Sequence, residues 1–191
     1  MNRHRPVSLY PVRTRILHWL TAVLIFSALF IGFTMVNSTD SYVSLVRVHM
    51  TLGVLILSVV VVRAANRLTH RLPELPDTVG WVEHEFIVGS ELLLYALMFA
   101  QPLVGWAMVS AGGKPVVIFG SLPLPRIAPF NADLYFVLRQ THSLLAYSLV
   151  AVIAAHVCAV LWHTLARRDG MLSRMTYSRR REIVETDRDP R

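Results

Sequence analysis

Residues 139–163, RQTHSLLAYSLVAVIAAHVCAVLWH, are long and apolar enough to cross a bilayer, yet they hold His142, His156 and His163. An imidazole in hydrocarbon is costly unless it is paired, so an ionisable residue at that depth points to function. His142 and His156 lie fourteen residues apart. At about 100° and 1.5 Å per residue they fall within about 40° of one face and about 21 Å apart along one helix axis. A single rod thus presents ring nitrogens at two depths of the membrane.

The rest of the chain is built to match. Of its 191 residues 54% are hydrophobic, and the mean hydropathy is +0.48. A spanning helix needs about 20 largely apolar residues, and four runs qualify: Ile16–Val36, Tyr42–Val62, Phe86–Val109 and Leu134–His163. They take up more than half of the chain and leave no room for a separate water-soluble domain. The expected fold is all-α, an integral membrane four-helix bundle over residues 16–163, with an N-terminal arm at 1–15 and a basic tail at 164–191.

The net charge of +7 is distributed for a membrane rather than for nucleic acid, which is not an expected partner. Fifteen of the nineteen Lys and Arg lie before the first span, between spans two and three, or after span four. Only Arg47, Lys114, Arg126 and Arg139 lie on the other side. The positive-inside rule then puts both termini in the cytoplasm, and the Arg-rich tail suits anionic lipid headgroups. The first run is longer than a signal core and no A-x-A-like site follows it, so it is expected to stay as helix one. The lone Cys158 sits mid-span and excludes a disulfide framework.

Taken in order, the chain opens with an irregular arm, Met1 to Thr14, before His18 and the interfacial Trp19. The turn NSTDS, 37–41, forces spans one and two to be adjacent and antiparallel. Span two carries His49, with Gly53 one turn deeper, where a small residue lets a neighbour or a flat cofactor come close. Arg63 and Arg67 are expected to end it. The stretch LTHRLPELPDTVGWVEHE, 68–85, has the Pro and Gly of a loop, with a short interfacial helix around Trp81 to Glu85. Pro102 is expected to kink span three near its outer third. The Gly/Pro-punctuated loop that follows is partly apolar and expected to fold down as a cap. Beyond about Tyr177 the tail is expected to be disordered.

Depth pairs the histidines. With the N-terminus inside, His18 is inner and His49 outer, while His142 is outer and His156 inner. Two imidazoles from different helices at one depth suit the two axial positions of a haem iron, so His49/His142 and His18/His156 are expected to hold two b-type haems. No Cys-x-x-Cys-His is present, which excludes thioether attachment. Spans one, two and four would surround the haems, with span three behind or beside them. His163, one heptad past His156, is a rival inner ligand, although a plain interfacial anchor accounts for it. Two alternatives remain: histidines as interhelical hydrogen-bond glue in a non-redox membrane anchor, and zinc. Zinc is disfavoured, because ligands about 21 Å apart on one rod cannot share an ion and a two-histidine site lacks the rest of a tetrahedral shell.

These residues carry a likeness. From about Tyr10 to Met175 the chain resembles the bacterial cytochrome b561 family, through Leu17-His18-Trp19, His49 with Gly53 and Arg63, Leu94-Tyr95, and Pro102 with Gly105. Gly113-x-Pro115, Phe119-Gly120, His142, His156, His163 and Leu172-Ser-Arg-Met175 continue the ordered set. The resemblance implies four spans in the bacterial inner membrane, two b haems on His18, His49, His142 and His156, and electron transfer linked to ubiquinone. Many relatives have a histidine just before the Leu-Tyr of span three. Here Glu91 occupies that region and His84 lies two turns earlier; neither is needed for the haems, and a structural role is expected for Glu91.

Within the family, the superoxide-oxidising type oxidises superoxide outside and reduces ubiquinone in the membrane, and the chain is similar to it. Arg47, Lys114, Arg126 and Arg139 form a sparse cationic set that would steer an anion. Arg139, three residues before His142, would equally pair a haem propionate. A superoxide:ubiquinone oxidoreductase is therefore one expected activity. The other is a conduit from quinol to a periplasmic carrier or a partner dehydrogenase. For the quinone, which needs an apolar slot with a polar group, the expected residues are His163, Trp162 and Glu91 near the inner end.

Overall fold

The computed structural model describes residues 10–69 and 80–167 together with Leu172, Met175 and Thr176. Four long helices dominate: α1 (Val12–Val36), α2 (Tyr42–Thr69), α3 (Trp81–Ala111) and α4 (Ala132–Trp162), the last widening into a π turn over His163–Arg167. Each is long and apolar enough to cross a membrane. Phe26, Phe30, Phe136 and Leu144 are all more than half exposed. Apolar surface on that scale is not tolerated against water and is what a lipid-facing bundle presents. The hydroxyls of Thr21, Thr34, Thr51, Ser58 and Thr141 bond the carbonyl four residues back, which satisfies them inside their own helices.

The helices overrun the hydropathic spans, because hydropathy reports lipid and not hydrogen bonding. α1 starts at Val12, directly after Pro11, whose ring blocks growth in the other direction; the arm is thus helical from Val12 and not irregular to Thr14. α2 continues past Arg63 and ends at Thr69, with Arg67 in its last turn, where a cation suits the helix dipole. The short helix expected around Trp81 to Glu85 is the first turn of α3 itself. Residues 70–79 of the expected loop, and the tail beyond Thr176, lie outside the described residues. α3 runs on through Pro102. α4 begins at a side-chain cap, Asn131 accepting from the Leu134 N–H at 2.8 Å, with Asp133 in the first turn.

α1 packs on α2, α2 on α3 and α3 on α4, while α1 and α4 meet at Phe33 and Tyr147, ring centroids 5.9 Å apart, and border a cavity towards the chain termini. The core is a mid-depth layer of Ile25 and Ala28, Ile56 and Val60, Leu97 and Met98, and Leu149. Leu149 is midway between His142 and His156, so this layer separates two levels of histidine. One end of the bundle holds the start of α1 and the finish of α4 and is called the terminal end; the opposite one is the loop end.

At the loop end the segment after α3 does fold down as a cap. Strand β1 (Val117–Ile118) pairs antiparallel with β2 (Leu122–Pro123). Phe119 and Gly120 turn between them with φ of 51° and 73°, a left-handed pair that glycine eases at the second position. Trp106 Nε1 donates to the Pro125 carbonyl at 3.0 Å and the Phe119 N–H to Thr51 Oγ1 at 3.3 Å. Those bonds tie the cap to α3 and α2.

Candidate functional site

At the loop end, the rings of His49 on α2 and His142 on α4 face each other nearly at right angles, their centroids 6.2 Å apart. An imidazole–metal bond of about 2 Å, plus about 1 Å from nitrogen to ring centre, comes to about 6 Å when doubled. The spacing therefore fits one iron between the rings. His49 Nδ1 lies 3.1 Å from the Ala28 carbonyl. A carbonyl only accepts, so Nδ1 carries the proton and Nε2 keeps a lone pair, the tautomer a metal ligand needs.

His142 is held by α3. Its Nε2 lies 3.3 Å from Gln101 Nε2. Its Nδ1, and Gln101 Oε1, are buried with no hydrogen-bond partner among the described residues. Leaving such an atom unmet costs about 1–3 kcal/mol, so a bound group that met either would stabilise the site. Glycines make the space. A Cβ at Gly105 would stand 2.9 Å from His142 Cε1, and one at Gly32 would stand 3.2 Å from His49 Cε1. Beside Gly53, by contrast, a Cβ would meet nothing within 4 Å. Gly53 therefore seats no neighbouring helix and borders open space.

Arg47 and Arg139, with Lys114 and Arg126, are exposed at this end. Lys114 and Arg126 belong to the cap segment, Arg47 to α2 and Arg139 to α4.

The terminal end holds a cavity of about 1580 Å³, larger than the roughly 300–1,000 Å³ of common ligand pockets. His18 on α1 and His156 on α4 both line it. Arg63 reaches in from α2, 3.2 Å from His18 Nδ1 and 5.3 Å over the centre of the Tyr95 ring, a cation–π contact. α3, expected behind or beside the cofactors, supplies a wall here through Leu94, Tyr95 and Met98, and at the loop end through Gln101 and Gly105.

His163 also lines the cavity, but not as a plain interfacial anchor. It is 6% exposed and its Nε2 is 3.0 Å from Glu83 Oε1, an oxygen that Arg167 also holds. Glu91 is on the wall and pairs with Arg67 at 2.9 Å. Trp162 is 64% exposed and lies off the cavity wall, so His163 and Glu91 come together without it. His84 is exposed, 3.9 Å from Glu85. The chain returns to close the terminal end: Arg15 Nη1 donates to the Thr176 carbonyl at 2.9 Å and Trp19 Nε1 to that of Met175 at 3.1 Å. Among the described residues, no three His, Cys, Asp or Glu gather as a bare-ion site. Paired imidazoles beside glycine-made space and a large cavity fit a haem.

Sequence reasoning missed Glu83, Gln101 and Gly32. Gln101 carried a signal, as a lone amide one turn before Gly105 in an apolar run. Glu83 did not, because its partner His163 is eighty residues away.

Residues 9–178 match the family described as prokaryotic cytochrome b561. Cytochrome b561 homolog 2 of Escherichia coli K12 is 27% identical over 170 residues, 87% of this chain and 90% of that protein. The probable superoxide oxidase CybB of Yersinia pestis is 28% identical over 172 residues, 86% of this chain and 93% of its own length. Cytochrome b561 homolog 1 of Escherichia coli K12 is 24% identical over 179 residues, covering 92% and 97% of the two chains.

Proposed function

This chain belongs to the prokaryotic cytochrome b561 family, and on that premise we propose that it is a di-haem cytochrome carrying electrons between its loop end and a quinone at its terminal end. Membership carries with it b-type haem and electron transfer in a bacterial membrane. We assign one haem to His49 and His142 and the other to His18 and His156, within a domain spanning residues 16–163. The observation that carries the reading is the His49–His142 ring pair at one end of the bundle, with His18 and His156 lining one cavity at the other. When bound, haem iron supplies a one-electron relay, tuned by its axial ligands, burial and nearby charge.

The chain's own residues do the rest. The Ala28 carbonyl fixes the His49 ring, and Gly105 and Gln101 set that of His142. The apolar layer around Leu149 keeps water out between the two levels. The fifteen-to-four placement of basic residues supports a cytoplasmic terminal end and an outward loop end in the inner membrane. At the loop end, Arg47, Lys114, Arg126 and Arg139 would draw in superoxide, and the name of the Yersinia relative supports that donor. Two superoxide anions give up two electrons and leave as dioxygen; ubiquinone takes two electrons and two protons to become ubiquinol. The same exposed cations fit a second reading, docking of an acidic periplasmic carrier or a partner dehydrogenase, with electrons running outward from quinol.

Purified protein should contain two haem b per chain by pyridine haemochrome. Superoxide should reduce them and added ubiquinone reoxidise them. One haem or none per chain overturns the assignment, while reduction by quinol with superoxide inert selects the second reading.

A further inference from the structure

We propose that Glu83 and His163 form the proton entry of the terminal-end cavity, handing protons from the aqueous face to a quinone reduced inside it; this rests on the quinone reading above. The Glu83 side chain, in the first turn of α3, is 27% exposed, whereas that of His163 is 8% exposed and lines the cavity. Their Oε1–Nε2 contact of 3.0 Å joins a carboxylate that touches the surface directly to a buried imidazole. An imidazole can take a proton at one ring nitrogen and release one at the other. The two side chains therefore make a two-member path from outside to inside.

The surroundings favour this pair over its neighbours. Arg63 and Arg67 also face the cavity, but a guanidinium does not give up its proton in a protein. Glu91 pairs with Arg67 and His18 with Arg63, whereas Glu83 joins its carboxylate to a buried ring nitrogen. Arg167, from the same π turn as His163, holds the Glu83 carboxylate in place. A π turn at a helix end widens the backbone and recurs at functional positions. Here it lets His163 and Arg167 address one carboxylate. The balance is simple: the quinone's two carbonyl oxygens become hydroxyls, with two electrons from the cytochrome's own transfer and two protons passed in turn through Glu83 and His163. No bond to the protein forms.

A mere clamp between α3 and α4 makes a different prediction from a proton path. Glu83→Gln keeps an oxygen for Arg167 and His163 but cannot carry a proton. In the full haem-loaded protein, E83Q should bind ubiquinone with unchanged affinity by calorimetric titration and keep its haem count. Reoxidation of the reduced haems by that quinone should slow by roughly 10²-fold, and a small weak acid such as formic acid should restore it. Unaltered reoxidation in E83Q overturns the proposal. So does slow reoxidation that weak acid leaves slow, or a loss of quinone affinity that accounts for it, since either makes the contact a clamp. If the unaltered protein neither binds quinone nor is reoxidised by it, the quinone reading falls and this proposal with it, and that failure is told apart by needing no variant.

Discussion

Gly105→Ala adds one methyl group to α3 and separates two effects that usually go together. In the helix interior glycine costs roughly 0.5–1 kcal/mol relative to alanine, so the substitution should stabilise α3 itself. The new Cβ, however, would stand 2.9 Å from His142 Cε1 and 3.2 Å from Nδ1. Ordinary contact begins several tenths of an ångström further out, so the ring must tip. A side chain pushed about 30° off its rotamer costs about 0.5–1.5 kcal/mol. With about 1.4 kcal/mol per factor of ten, that is about two- to tenfold in affinity for the haem that His142 is proposed to hold. The assay has two parts: a thermal melt of haem-free protein, and haem per chain with low-temperature EPR of the loaded protein. The expected result is a melt that is unchanged or higher, with weakened binding and a shifted low-spin signal at one haem only. Gly32→Ala, whose Cβ would lie 3.2 Å from His49 Cε1, should do the same more mildly. A Gly105→Ala protein with both signals and both affinities intact would refute the placement of His142 at the iron.

Other consequences are simpler to read. His156→Ala should lose the terminal-end haem, whereas His163→Ala should retain both by haemochrome; the reverse would make His163 the ligand. Removing the Arg47 and Arg139 charges together should flatten the salt dependence of haem reduction by superoxide, since steering by exposed cations is screened over about 10 Å at 0.1 M salt. An unchanged slope in a stopped-flow series at increasing salt would assign those charges another role. Glu91→Gln should leave both haems and quinone reduction intact, with stability altered by no more than about 1 kcal/mol, as for other half-exposed ion pairs. A large loss of quinone reduction would move Glu91 into the proton path.

The four spans and the two histidine levels were legible because both rest on local periodicity and depth. A 3.6-residue repeat fixes where His142 and His156 point on one rod without knowledge of any other helix. The helix ends were less legible for a physical reason: Arg63 and Arg67 end the hydropathic signal, but charges do not break backbone hydrogen bonds, and α2 continues to Thr69. The part played by α3 was hidden because it depends on packing. Gly105 matters only since the His142 ring lies against it, and the Glu83–His163 contact joins the first turn of one helix to the last of another. The pairing of Glu91 with Arg67 was within reach of the sequence, since Arg67 ends the neighbouring span at the same depth. That Trp162 lies off the cavity wall was not, because a wheel position beside His163 says nothing about the π turn that begins there.

The two ends differ in a way that fits opposite halves of one reaction. Around the His49–His142 pair the close contacts are the Ala28 carbonyl, the Gln101 amide and the helix backbone at Gly32 and Gly105. None of these delivers a proton. Around the terminal-end cavity stand Glu83, Glu91, Tyr95 and His163 beside His18 and His156. Superoxide gives an electron without needing a proton, whereas a quinone cannot become quinol without two. Between the two ends lies the apolar layer of Ile25, Ala28, Ile56, Val60, Leu97, Met98 and Leu149, with Tyr95 packed against it. A polar residue at Leu149, such as Leu149→Asn, should weaken packing and also admit water between the two levels.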